Sequence, residues 1–154
     1  MQRPFRILKT RRGFTLVELA VVIVIIGVLA AFGVPKFLQS VEKSKCTEAF
    51  NYWSAVQSAE ERYMAQNGVY LAYAAGTTPG LDIVLPKLQY FESAAVTSTL
   101  ASNGSPSWAG TMNRIASSSS YGAYVVNWSQ DGFDNSSNIT TGISPVTGDN
   151  GTGS

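Results

Sequence analysis

The hydrophobic pattern of the chain begins abruptly after a short basic stretch. Residues 14–34 form an apolar run of 21 residues, and Glu18 is the only charged residue in it. A helix of that length spans about 30 Å, the thickness of the hydrocarbon core of a bilayer. The pattern therefore predicts a membrane-spanning helix over 14–34, with a single carboxylate close to its start.

After Pro35 the pattern stays helical but becomes amphipathic. Apolar side chains recur at steps of three or four, which predicts that one face of the helix packs on a core. This apolar stripe comprises Cys46, Ala49, Trp53, Val56, Ala59 and Tyr63. Asn67 and Gly68 are a stop signal, because glycine readily adopts the left-handed conformation that caps a helix. We expect one helix from about residue 14 to 66, whose second half, 35–67, is the spine of a globular head.

The head, 68–154, shows weaker patterns. Residues 68–107 are expected to be mainly a connecting loop, because Pro86 argues against a central strand there. Residues 108–116 and 121–129 predict the two strands of a hairpin. A small antiparallel sheet packed on the helix stripe makes the predicted fold class α+β.

The last 26 residues, 129–154, are polar, since 20 of them are Gly, Ser, Thr, Asn or Asp. This composition predicts a surface loop or a frayed end. Asp131, Asp134 and Asn135 offer the hard oxygen ligands that calcium prefers, without the spacing of an EF-hand, and a solvated turn is the alternative. No other cofactor is indicated. Four N-x-[ST] sequons are either glycan acceptors or products of the composition; they begin at Asn103, Asn127, Asn135 and Asn138.

The net charge of +1 hides a split along the chain. Five of the 11 basic residues, and none of the ten acidic ones, lie in the first 13 residues. A basic flank of this kind stays on the cytoplasmic side, so the C-terminal part of the chain is expected outside the cytoplasm. The later part carries six basic and ten acidic residues, which gives no support for a nucleic-acid surface.

Residue types that usually carry catalysis are scarce. The chain has no histidine, which removes the commonest general base and the commonest zinc ligand. Its one cysteine, Cys46, cannot form an intramolecular disulfide. Cys46 lies on the apolar stripe, where we expect a buried core residue rather than a reactive thiol or an intersubunit crosslink. We therefore expect a protein that is not an enzyme.

Three interpretations fit the N-terminus. A secretory signal peptide explains the basic start, but its apolar region is usually shorter and free of acids. A plain single-span anchor fits the length, yet it leaves Glu18 without a partner, and a charge in the membrane is costly. The third interpretation rests on the residues around Gly13.

The sequence KTRRGFTLVEL, followed by the long apolar run, resembles the class III signal of type IV pilins and type II secretion pseudopilins. The resemblance implies that a prepilin peptidase and methyltransferase removes residues 1–13, cutting between Gly13 and Phe14. It also implies that the new amino group of Phe14 is methylated. The resemblance is strong from Arg11 to about Tyr70 and fades in the head.

Cleavage offers an explanation for Glu18. It creates an ammonium group on Phe14, which can pair with Glu18 of a neighbouring subunit inside a bundle of packed helices. A mismatched register would leave a charge unpaired, so the pair would register assembly. The alternative is that Glu18 merely snorkels to the membrane interface.

Gly27, Gly33 and Pro35 punctuate the far end of the apolar run. Proline lacks an amide proton and crowds the carbonyl four residues earlier, so a kink or a weak segment is expected there. In filaments of the resembling family the matching stretch, here 27–35, can unwind. The alternative is a simple bend.

The resemblance implies a structural subunit of a type IV filament, similar to a major pilin. It would cross the inner membrane once, with its head outside the cytoplasm, and then polymerise through its N-terminal helix on an inner-membrane assembly platform. The product would be a helical homo-oligomer, an extracellular or periplasmic filament.

Two alternatives are the major pseudopilin of a type II secretion system and a membrane-anchored or secreted binding domain. The head fits neither filament branch fully. One cysteine cannot close the C-terminal disulfide loop of many pilins, and GVYLAYAAGTTPGLDIVL matches the turn of major pseudopilins only loosely.

Overall fold

The computed structural model describes residues 13–77, 80–100, 104–139 and 142–146. Within these residues one α-helix precedes a four-stranded sheet, and a short 3-10 turn, Ala116–Ser118, interrupts the strands. The elements are α1 Leu16–Asn67, β1 Ala95–Leu100, β2 Pro106–Asn113, β3 Val125–Ser129 and β4 Gly132–Asp134. The predicted α+β class is confirmed.

The chain divides into two compact units, and the boundary lies between Lys36 and Phe37. In the first unit nearly all side chains of the apolar run are exposed, as Phe14 and Leu16 are at 82% and 83%. By length and composition, α1 is able to cross a membrane near its N-terminus. Residues 1–12 of the expected leader lie outside the described residues.

The C-terminal end of α1 falls where the sequence predicts it. The helix ends at Asn67, and Gly68 takes a φ of 76°. The amide of Gly68 donates to the carbonyl of Met64 at 2.8 Å, while the side chain of Asn67 donates to the carbonyl of Tyr63. The first bond satisfies a carbonyl that the last turn would otherwise leave unpaired, and the second adds a side-chain bond to the turn before it.

The sheet is an antiparallel meander in the order β1-β2-β3-β4. The predicted hairpin exists as β2 paired with β3, in the register Ala109 opposite Ser129. The expectation that 68–107 is mainly a loop is wrong at its end, because β1 lies there and pairs with β2. The sequence of β1, AVTSTL, buries only Val96, so it lacks the apolar alternation by which strands are recognised.

The expectation of a surface loop or frayed end is also wrong for the start of the polar tail. The tail contains β4, and both Ile139 and Ile143 are fully buried. Side chains replace strand pairing along β3 after β4 ends: Ser137 Oγ accepts from the amide of Asn127, and Asn138 Oδ1 accepts from that of Val125. Hydrogen bonds from polar side chains thus fix a segment for which composition alone predicts a surface loop or a frayed end.

The core of the head lies between the apolar stripe of α1 and one face of the sheet. Trp53 and Val56 are fully buried beside Trp108, Met112 and other apolar residues of β2 and β3. The predicted stripe is confirmed, except that Tyr63 is only half-buried. The helix and β2 approach so closely that a Cβ at Gly110 would collide with the indole ring of Trp53.

Candidate functional site

The first turn of α1 forms a capping box between Thr15 and Glu18. The backbone amide and the hydroxyl of Thr15 both donate to Oε2 of Glu18 at 2.8 Å. In return, the amide of Glu18 donates to Oγ1 of Thr15 at 3.2 Å. This reciprocal pattern satisfies amides that every helix start leaves unpaired. The capping box has the sequence signature Thr-x-x-Glu, which the sequence analysis did not recognise.

The capping box gives Glu18 a local role within one chain. Both Thr15 contacts go to Oε2, and within the described residues Oε1 of Glu18 accepts no hydrogen bond. The carboxylate can therefore keep the cap and still offer one oxygen to an external cation. Cleavage at Gly13, methylation of Phe14 and the pairing of Phe14 with Glu18 stay predictions.

The apolar surface that follows Glu18 has no partner within the described residues of the first unit. Exposed large side chains point to every side of the helix. They include Leu19, Val22, Ile23, Ile26, Leu29 and Phe32. A helix that is apolar all round requires lipid or other helices as its surroundings, so this surface can both reside in a membrane and pack in a bundle.

Gly27, Gly33 and Pro35 lie inside the helix, which is continuous across all three. A Cβ at either glycine would meet nothing within 4 Å, so packing within the chain does not require them. Pro35 cannot donate to the carbonyl of Ala31, which leaves one weak point in the hydrogen-bond ladder. The unwinding of 27–35 stays a prediction.

The three proposed calcium ligands surround the turn between β3 and β4. Asp131 lies in that turn, Asp134 ends β4, and Asn135 follows it. Oδ1 of Asp134 already accepts from the amide of Ser136 at 2.8 Å. Among the described residues no three His, Cys, Asp or Glu side chains form a metal-binding group. Three side chains fall short of the six to eight oxygens that calcium takes, so calcium binding stays a prediction.

The sequons differ in accessibility. Asn127 is half-buried in β3, and its side chain donates to Ser136 at 2.9 Å. Asn135 and Asn138 are exposed, whereas Asn103 lies outside the described residues. Glycosylation stays a prediction.

Cys46 is fully buried on the apolar stripe. Burial raises the pKa of its thiol to about 11, so the reactive thiolate is scarce at neutral pH. The interpretation of Cys46 as a core residue is therefore confirmed in the described structure.

A buried ion pair that the sequence analysis missed joins α1 to the sheet. Glu42 and Arg114 are each only 2% exposed, and Nε of Arg114 donates to Oε1 of Glu42 at 2.7 Å. Ser119 and Tyr124 also donate to this oxygen, at 3.1 and 3.3 Å. Burial alone would raise the pKa of Glu42, but these contacts, led by Arg114, outweigh it and lower the pKa.

The guanidinium group of Arg114 is satisfied on all sides. Its Nη1 donates to the carbonyl of Tyr90 at 2.6 Å, and its Nη2 donates to that of Ser118 at 2.9 Å. The rings of Tyr90 and Phe91 lie 5.5 and 5.6 Å from its central carbon. Arg114 thus connects the helix, the end of β2 and the segment before β1. Its only sequence signal was a charge inside the predicted strand 108–116.

The N-terminal region of the chain is similar to known proteins. Residues 8–34 match the family model described as the prokaryotic N-terminal methylation motif. Fimbrial protein EcpC of Eikenella corrodens is 41% identical over 64 residues, 42% of this chain and 42% of that protein. Type IV major pilin protein PilA of Myxococcus xanthus is 38% identical over 63 residues, 41% of this chain and 29% of that protein. Type II secretion system core protein G of Vibrio cholerae is 36% identical over 80 residues, 52% of each chain.

The chain thus spans between 29% and 52% of the length of these three relatives. No solved structure matches it significantly. The relatives are structural filament proteins and a secretion-system core protein rather than enzymes. This chain carries the prokaryotic N-terminal methylation motif at residues 8–34, and type IV pilins and type II secretion core proteins G are its homologues.

Proposed function

We propose that this chain is a structural, major pilin-like subunit of a type IV filament. The observation that carries the proposal is the combination of the methylation motif over residues 8–34 with a helix whose apolar side chains are exposed on every side. Such a surface is stable in a membrane before assembly and in a bundle of identical helices afterwards. One segment therefore serves as both anchor and polymerisation element.

Processing supplies the charge that assembly requires. The prepilin peptidase cuts after Gly13, and the methylated amino group of Phe14 stays protonated. It pairs with Oε1 of Glu18 in a neighbouring subunit, while Oε2 keeps its bonds to Thr15. In a bundle interior an unpaired carboxylate is costly, so only the register that forms this pair is stable.

The basic residues before Phe14 hold the N-terminus on the cytoplasmic side of the inner membrane. The head then lies outside the cytoplasm, and an inner-membrane assembly platform extracts the subunit into an extracellular or periplasmic filament. During extraction the stretch 27–35 unwinds, because Pro35 has already removed one hydrogen bond there. Cryo-electron microscopy of filaments would detect this, since Pro35→Ala should restore helix across the stretch.

The second candidate is the major pseudopilin of a type II secretion system. It is favoured by the similarity to core protein G of Vibrio cholerae, which extends over 80 residues and therefore beyond the methylation motif. Electron microscopy of sheared cells and export assays on a deletion strain separate the two. Loss of surface filaments with normal export indicates a pilin, and loss of export indicates a pseudopilin.

Mass spectrometry of the mature N-terminus tests the proposal as a whole. We expect a chain that begins with N-methylated Phe14. A chain that begins near Phe32, or an uncut Met1, would show instead a secreted or membrane-anchored binding domain with an ordinary signal or anchor.

A further inference from the structure

A second buried carboxyl group, Glu60, lies on α1 with no counter-charge. Its side chain is completely buried, and Oε2 accepts from the amide of Leu71 at 2.9 Å. Oε1 is buried without a hydrogen-bond partner in the described structure. If this group were ionised, a single hydrogen bond would have to compensate for the loss of water around its charge. The ionised form is therefore unfavourable in this place.

The nearest cation in sequence does not compensate Glu60. Arg62 is exposed and directed to Asp82, with Nε and Nη2 donating to the two carboxylate oxygens at 2.8 Å each. Within the described residues, no ion pair involves Glu60. Glu60 therefore differs from Glu42, whose buried charge has an arginine partner.

The ionisable groups around Glu60 are phenols and acids. Tyr73 is near enough to sense its charge, and the hydroxyl of Tyr73 is itself buried. Tyr70 senses Glu60 together with the acids Glu61 and Asp131. Tyr52, on the preceding turns of the helix, interacts with the phenol of Tyr73. Each of these groups is neutral or negative at neutral pH, so their surroundings favour a neutral Glu60.

The segment that Glu60 holds also covers an edge of the sheet. It leaves the helix at Gly68, bonds Glu60 through Leu71, and reaches β1 at Tyr73. There the amide and carbonyl of Tyr73 bond the carbonyl and amide of Val96, at 3.0 and 2.9 Å. The contact of Leu71 with Glu60 thus lies between the helix end and the attachment to β1.

We propose that Glu60 is a proton-binding latch, which as a neutral acid holds the segment 68–73 on the helix and on ionisation releases it. The ionised group can regain water only if the covering segment moves away. Since this segment carries Tyr73, its release uncovers the outer edge of β1 at Val96. Unpaired strand edges are surfaces on which further chains can pair, so a rise in pH would open such an edge on the head.

Linkage fixes the direction of the effect. Burial raises the pKa of Glu60 above its ordinary value of 4.5. Between the ordinary and the raised pKa, the closed head therefore holds a proton that the open form has lost. The closed form is fully favoured below pH 4.5 and loses stability as the pH rises above it.

Hydrogen exchange of the full chain in detergent micelles tests the latch. After correction for intrinsic exchange rates, we expect the protection of the Leu71 and Tyr73 amides to fall about tenfold per pH unit. This fall is expected between the ordinary and the raised pKa of Glu60. The protection of the Val126 amide in β3 should stay constant. In Glu60→Gln, which keeps an oxygen acceptor for Leu71, the fall should disappear. Glu61→Gln removes an exposed neighbouring charge and should retain the wild-type fall.

Two results would overturn the proposal. One is an equal fall of protection in Glu60→Gln and wild type. The other is a fall in wild type that includes Val126 to the same extent, which would indicate global unfolding. A carboxyl titration of Glu60 in the wild-type chain adds a measurement that needs no variant: a midpoint above 4.5 supports the latch, and a midpoint at or below it refutes the latch.

Discussion

Arg114 illustrates at the residue scale how a charge can be a structural element of a small core. Its guanidinium group connects Glu42 on α1 with carbonyls of two other segments, and no polar atom of the pair is left without a partner in the described structure. Burial of such a pair is tolerated because its hydrogen bonds are complete, while loss of one partner leaves a buried charge.

Arg114→Leu should therefore destabilise the head by about 3 kcal/mol, because Glu42 would stay buried with only the partly exposed Lys45, at 3.5 Å, as a counter-charge. Chemical denaturation of the chain in detergent measures this change. Arg62→Leu is the matched control, since its pair with Asp82 is exposed and screened by water, so its loss should change the stability far less. The double variant Glu42→Leu with Arg114→Leu should recover part of the loss; a double variant less stable than Arg114→Leu would contradict this account.

Thr15 and Glu18 allow the capping role to be separated from the assembly role. Thr15→Ala removes the hydroxyl from the capping box but retains the carboxylate, so it should weaken the helix start by about 1 kcal/mol and leave filaments present. Glu18→Ala removes both functions and should still be cleaved after Gly13. We expect its filament yield to fall about tenfold or more, because the ammonium group of Phe14 would be left unpaired at each subunit contact.

Immunoblots of sheared filaments, compared with cell-associated subunit, measure both variants. Mass spectrometry of the cell-associated protein controls for cleavage. Normal filament yield in Glu18→Ala would show that the carboxylate serves only the helix cap or the membrane interface.

The two long-range patterns of the sequence, at the scale of elements, predicted their elements well. Continuous apolarity and then a stripe of period three to four define α1 to within two residues at either end. Strands β1 and β4 were missed because both lie at edges of the sheet, where β1 buries only Val96 and β4 has only three residues. These two strands form because they pair with β2 and β3, and their own residues do not indicate that pairing.

The capping box and the buried ion pair were not predicted from the sequence, for two different reasons. Thr15-x-x-Glu18 is a local signal that was present and overlooked. Glu42 and Arg114 are 72 residues apart, so nothing in either segment identifies the other as its partner. Glu60 likewise looks like an ordinary polar helix residue until the segment after Gly68 folds over it.

The absence of a side chain at Gly110 allows α1 and β2 to pack closely. Because a Cβ there would collide with the Trp53 ring, Gly110→Ala should force the helix and β2 apart and destabilise the head by about 1–3 kcal/mol. Ala109→Val is the matched control, since Ala109 is exposed on the other face of β2 and a branched residue suits a strand. Thermal unfolding in detergent compares the two, and equal stability of both variants would contradict close packing at Gly110.

The whole molecule separates two kinds of apolar surface along its sequence. Every buried residue in the described part lies at Glu42 or later. The large apolar side chains from Phe14 to Leu38 are exposed. The head therefore has a core of its own within the second unit, 37–154. The first unit has no buried residue among its described residues and carries an exposed apolar surface.

A chain that begins at Phe37 should consequently fold without detergent. Its helix retains the whole stripe from Cys46 onward, together with Glu42 for the pair with Arg114. We expect a cooperative thermal transition by circular dichroism, a monomer by analytical ultracentrifugation, and no filaments. A shorter chain that begins at Trp53 is the control: it lacks Glu42, Cys46 and Ala49, so Arg114 would be buried without a counter-charge and the core would be open. If 37–154 were unfolded while the full chain in detergent was folded, the head would depend on the first unit, and the separation of core from assembly surface would be refuted.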